Sequence, residues 1–143
     1  MWSEIDHTAD IGINVKGNTL EGFLAYSTLG LAQFLGTQCN GFTGEETRGV
    51  FNYHRFSDSP EEALVKLLQE VLFLKETHNF NLVWPDINVP QWNYTKDIYE
   101  VYARFHGYIG DTEAEDIKAV TYHDLRIVEG ADAAYEATII FDV

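Results

Sequence analysis

The segment DHTADIG, residues 6–12, sets Asp6, His7, Thr8 and Asp10 close together ahead of an alternating apolar run. A short carboxylate in that place ordinarily closes a turn by accepting hydrogen bonds from nearby backbone amides. At the other end, FDV places Asp142 beside Val143, whose terminal carboxylate adds a second anionic group. If the first and last strands are neighbours, Asp10, Asp142 and the carboxylate of Val143 converge into an oxygen-rich cluster. Such a cluster suits a hard cation such as Ca²⁺ or Mg²⁺, which would offset the mutual repulsion of the carboxylates. A third stretch, KAVTYH at 118–123, carries Lys118, Thr121 and His123. Strand alternation puts Lys118 and Tyr122 on one face and Thr121 and His123 on the other, so they meet in one site only where the strand bulges or ends. Lys118 also reads as an edge-strand charge that discourages aggregation. His123 reads equally as a core imidazole bonded to a carbonyl, and His7 as a local cap or a support for Asp10. No serine or cysteine nucleophile pairs recognisably with either histidine. A glycine-rich phosphate loop, a Cys-x-x-Cys pair and a His-Glu-x-x-His motif are all absent, which removes the usual support for nucleotide-fold, zinc-site and zincin chemistry.

The elements that must position these residues follow from periodicity. Ile11, Ile13 and Val15 alternate with Gly12, Asn14 and Lys16, the pattern of a strand with one buried face. Leu20, Phe23, Leu24, Leu31, Phe34 and Leu35 recur at helical spacing, with Asn18 or Thr19 as cap and Gly36 as stop, predicting a helix over 19–35. Phe51 and Tyr53 share a face of a strand near 47–56. In SPEEALVKLLQEVLFLKE, Ser59 as N-cap, Pro60 at the first helical position and Glu62 at the third form a capping box ahead of a broad leucine face. NLVW, IYEVYARFHGYIG, IKAVTYHDLRIV and AYEATIIFDV then read as strands, and DTEAED, 111–116, as a solvated hairpin turn. Two helices among about seven strands predict a single α+β domain spanning 1–143. In it both helices pack on one face of a largely antiparallel or mixed sheet, in two layers.

Composition bounds the rest. Hydrophobic residues make up 45% of the 143 positions, enough to place the chain among folding sequences. Nine Lys and Arg against 23 Asp and Glu give a formal charge of -14, which repels polyanions and anionic lipid at long range; tight nucleic-acid binding is not expected, while a local basic patch stays compatible. The lone Cys39 reads as a small apolar side chain. With no signal-peptide pattern and no apolar run near the roughly 20 residues of a membrane span, the expectation is a soluble protein of the reducing cytoplasm.

DHTADIG near the start, TLEGFLAYSTLGLAQFL in the first helix, KAVTYH late and FDV at the end, in this order and length, together resemble the archease family over essentially the whole chain. The resemblance implies a small acidic accessory protein that activates the histidine-guanylate type of RNA-splicing ligase, acting in tRNA splicing and RNA repair by promoting its guanylylation with GTP. It implies a metal site at Asp10, Asp142 and Val143, expected to hold Ca²⁺ with Mg²⁺ or Mn²⁺ as alternatives, and it puts Lys118 with Asp10 and Asp142 in the activating set. Asp6 falls in the family's motif without an assigned role. No catalytic residue of the chain's own is expected. Two further readings compete: an independent hydrolase in which the carboxylates hold a water-activating cation beside Lys118 or His123, and a general protein-binding or chaperone module.

Overall fold

The computed structural model describes residues 1–6, 10–36, 47–90, 98–111, 117–121, 125–130 and 134–143. Along the chain run β1 (Trp2–Asp6), β2 (Asp10–Gly17), α1 (Leu20–Phe34), β3 (Thr47–Ser57), α2 (Pro60–His78), β4 (Phe80–Asn88), β5 (Tyr99–Ile109), β6 (Ala119–Val120), β7 (Val128–Glu129) and β8 (Tyr135–Asp142). The α+β expectation holds. One sheet was expected and two are present, both antiparallel: β1-β2-β8-β6, with β7 also on β8, and β3-β5-β4.

Both helices start where the sequence says they should. The Thr19 hydroxyl accepts from the Gly22 amide at 3.0 Å, and the Ser59 hydroxyl from the Glu62 amide at 3.1 Å. Glu62 reaches back to the Asp58 amide at 3.3 Å and forward to Lys66 at 2.7 Å, so the box closes one residue before the cap. Helix α2 stops at Asn79, in the left-handed region at φ 51°, a conformation asparagine tolerates better than most side chains.

Helix α1 packs against β2 in one sheet and β4 in the other, and α2 packs against α1, β3 and β4. One apolar core therefore takes Ile13, Ile139 and Phe141 from the first sheet, Leu82, Val101 and Phe105 from the second, and Phe23, Leu24, Leu64 and Leu68 from the helices. Gly30 makes the close seat of α1 possible: a Cβ there would stand 2.6 Å from Ile13 Cδ1 and 3.1 Å from Trp2 Cγ.

Two local readings change. The segment expected as one strand, IKAVTYHDLRIV, supplies two pairings to the same edge of β8: Ala119 and Val120 opposite Asp142 and Phe141, then Val128 and Glu129 opposite Glu136 and Tyr135. Strand β1 was not anticipated, because in WSEID the apolar Trp2 and Ile5 fall on opposite sides of a strand and leave no period-two signal. Cys39 and the acidic segment 112–116 lie outside the described residues. Among the described residues, no helix is long and apolar enough to cross a membrane.

Candidate functional site

Strands β2 and β8 lie side by side, with Ile11, Ile13 and Val15 facing Phe141, Ile139 and Ala137 in register. Ile13, Ile139 and Phe141 are fully buried, so a slip by one residue would turn the core set into water; the apolar face fixes the register. The outer face then has no freedom. It pairs Lys16 with Glu136, Asn14 with Thr138, Gly12 with Ile140, and Asp10 with Asp142. Opposite charges meet at one end of this ladder and like charges at the other. Directly opposed side chains in an antiparallel pair have Cβ atoms about 4.5–5.5 Å apart, where like charges are destabilising.

Asp10 and Asp142 line a cavity of about 290 Å³ together with Ala119, Thr121 and Ile140. Each neighbour contributes through its size or its backbone. A Cβ on Gly12 would sit 2.9 Å from Ile140 Cδ1, so the glycine leaves room for the isoleucine between the carboxylates and the rest of the ladder. Ala119 stands opposite Asp142 with only a methyl group. The Lys118 amide donates to the Asp142 carbonyl at 2.8 Å and the Thr121 amide to the Ile140 carbonyl at 3.1 Å, which ties β6 to the edge of the site.

The predicted site residues are therefore brought together unequally. Asp10 and Asp142 share one cavity. Val143 follows directly and is 40% exposed. Lys118 is held beside Asp142 by its backbone while its side chain is exposed, and among the described residues its ammonium group has no ion-pair partner. Alternation along β6 accounts for this, since Ala119 and Thr121 face the cavity and Lys118 has the other parity. His7 and His123 lie outside the described residues. Asp6 sits opposite Ile11 at the end of β1.

The chemistry of the donor set bears on which metal it would suit. Two carboxylates have oxygens with no hydrogen-bond or ion-pair partner among the described residues, and a terminal carboxylate follows at the next position. This is hard oxygen chemistry, suited to Ca²⁺, Mg²⁺ or Mn²⁺, and among the described residues in the cavity lining there is no nitrogen or sulfur ligand for zinc. Among the described residues, no group of three or more His, Cys, Asp or Glu side chains is assembled as a metal site.

Sequence reading missed a larger cavity, of about 510 Å³, on the outer face of the second sheet, with Asn52, His54, Tyr102 and Arg104 in its lining. The signal was present in IYEVYARFHGYIG, where Tyr102, Arg104 and His106 alternate with buried Val101, Ala103 and Phe105. The same pattern is what any half-buried strand shows, so it did not stand out.

Residues 2–143 match the Archease protein family (MTH1598/TM1083). The chain is 31% identical to the protein archease of Thermococcus gammatolerans over 146 residues, covering 99% of this chain and 98% of the relative. It is 30% identical to the protein archease of Pyrococcus abyssi over 147 residues, again covering 99% and 98%. In fold it is similar to the solution structure of protein 1598 of Methanobacterium thermoautotrophicum, with a TM-score of 0.78 at 20% identity, covering 99% of this chain and 98% of that one. It is also similar to a Thermotoga maritima protein described as an archease and possible chaperone, with a TM-score of 0.63 at 21% identity, covering 100% and 98%.

Proposed function

The chain belongs to the archease family, and from that premise we propose that it is an accessory protein that activates an RNA-splicing ligase, promoting the ligase's guanylylation with GTP through the Asp10–Asp142 site. The observation that carries this reading is the register pair itself: the two acidic positions assigned to a cation by resemblance stand opposite one another on neighbouring strands, in a shared cavity.

In this proposal Asp10, Asp142 and the carboxylate of Val143 hold a divalent cation, Ca²⁺ before Mg²⁺ or Mn²⁺. A bound cation supplies positive charge that can face phosphate oxygens. Asp10 and Asp142 keep that charge at the sheet end, where Ala119 and Thr121 leave an open approach. Lys118, exposed beside Asp142, adds a mobile ammonium that reaches phosphate on the partner. The acidic remainder of the chain, formally -14, complements a basic, RNA-binding partner in the cytoplasm and speeds encounter with it. The chain performs no covalent step of its own.

The test is a guanylylation assay of the ligase with GTP, with and without this protein. Faster guanylylation at substoichiometric protein supports the reading. Ligase that stays more soluble at an unchanged guanylylation rate points to a chaperone instead, and phosphate release by this protein alone points to a hydrolase.

A further inference from the structure

The second sheet turns its other face to solvent, and its largest apolar side chains there are exposed: Phe56 at 56%, Trp84 at 52%, Val50 at 51% and Tyr102 at 41%. The 510 Å³ cavity opens on this face, within the range of about 300–1,000 Å³ usual for small-ligand sites. Three of its properties point to one ligand chemistry.

The first is a fixed aromatic stack. His54 and Tyr102, opposite each other on β3 and β5, lie with ring centroids 4.2 Å apart and planes 7° from parallel. Buried Glu100 holds His54 Nε2 at 3.0 Å, and its hydrogen bond to Tyr102 raises that phenol above its usual range. The second is an unspent cation. Arg104 Nε donates to Asn52 Oδ1 at 3.3 Å. Its register partner Asp86 is instead engaged by His106 Nε2 at 2.8 Å and Trp84 Nε1 at 3.3 Å. Among the described residues, the two terminal nitrogens of the Arg104 guanidinium have no partner. The third is a pair of amides, Asn52 and Asn88, which supply donors and acceptors at the cavity wall.

A ring platform, a guanidinium whose terminal nitrogens have no partner among the described residues, and two amides are the parts that recognise a planar base with an attached phosphate. We propose that this cavity binds a nucleotide unit, its base extending the His54–Tyr102 stack and meeting Asn52 or Asn88, its phosphate on Arg104. The net charge of -14 opposes long-range capture of a polyanion, so the site works by local contacts, on a free nucleotide or on one nucleotide of a single strand. It lies on the second sheet and does not depend on the carboxylate site.

The experiment is an NMR and calorimetric titration of the full chain with AMP, UMP and a ten-residue oligouridylate, repeated with Arg104→Ala, Arg104→Lys and Tyr102→Leu. The expected result is saturable binding that shifts the amides of Asn52, Tyr102 and Arg104, weakened at least tenfold in Arg104→Ala and about fivefold in Tyr102→Leu at unchanged melting temperature, with Arg104→Lys intermediate. An oligouridylate bound at least tenfold more tightly than UMP assigns the site to single-stranded nucleic acid; comparable affinities assign it to free nucleotides. The proposal is overturned by no saturation at millimolar concentrations, by shifts elsewhere on the chain, by unchanged affinity in Arg104→Ala, or by ribose 5-phosphate or an Asp-Tyr-Glu peptide binding as tightly as AMP.

Discussion

Asp10 and Asp142 are register partners across β2 and β8, held opposite one another by a buried apolar face that cannot slip. The fold thus maintains an electrostatic conflict at one sheet end while Lys16 and Glu136 are matched at the other.

Relieving that conflict should stabilise the cation-free protein. Asp142→Asn is expected to raise the melting temperature in chelator, by an amount equivalent to about 0.2–1 kcal/mol. It should also lose the stabilisation the wild type gains from Ca²⁺, which is about 2.7 kcal/mol at a hundred times the dissociation constant. Thermal melts in chelator and in Ca²⁺, Mg²⁺ or Mn²⁺ measure both. A wild type whose melting ignores all three cations would remove the metal from the proposal.

Deleting Val143 moves the terminal carboxylate onto Asp142 and should weaken cation binding while leaving the domain folded. Val143 is 40% exposed and outside the core cluster, so little packing is lost. Calorimetric titration of the shortened chain gives the answer; unchanged affinity would leave Asp142 as the only C-terminal ligand.

How far the site was legible depended on one conditional. DHTADIG and FDV each announced a carboxylate, but their meeting required the first and last strands to be neighbours, a long-range pairing that periodicity cannot report. Helix α2 was legible throughout because Ser59, Pro60 and Glu62 are local signals with local geometry. The division into two sheets was not, since alternation says which face of a strand is buried and nothing about its neighbours. The cavity at Arg104 escaped for a related reason: it is assembled from β3, β4 and β5, and only register brings Asn52 and Asp86 to either side of that arginine.

Buried Asn81 should be a point of structural sensitivity. Its amide nitrogen lies within hydrogen-bond reach of the carbonyls of Asn79, Tyr108 and Gly110, joining the end of α2 to the end of β5. Asn81→Ala removes these bonds and should cost about 1–3 kcal/mol. In urea unfolding the midpoint falls with the slope unchanged.

The start of α2 should carry part of the acid sensitivity. Lys66 and the Asp58 amide hold the Glu62 carboxyl below its usual 4.5. A depressed carboxyl stabilises the fold above its unfolded value and loses that contribution as pH falls through the folded one. The loss therefore begins below about 4.5, and Glu62→Gln should flatten the stability curve there while slightly lowering stability at neutral pH. Equal curves for the two proteins would show the contact to be energetically silent, as exposed pairs often are.

Lys118→Ala should leave folding and cation affinity nearly intact and slow ligase guanylylation. The backbone amide of residue 118 makes the structural contact, to the Asp142 carbonyl, and alanine keeps that amide. The side chain is exposed and outside the cavity lining, so its loss removes neither packing nor a ligand. What is lost is a positive charge beside a carboxylate pair. In a docked complex that charge would lie next to phosphate, where charge-assisted contacts are stronger than neutral ones. Melting temperature, cation affinity and initial guanylylation rate, measured at matched ligase and GTP, separate the cases. A drop of tenfold or more in rate with the other two unchanged supports the activating role. Full activation by a stable variant would make Lys118 an edge charge and nothing more, and early melting would make it structural; either outcome removes it from the proposed site.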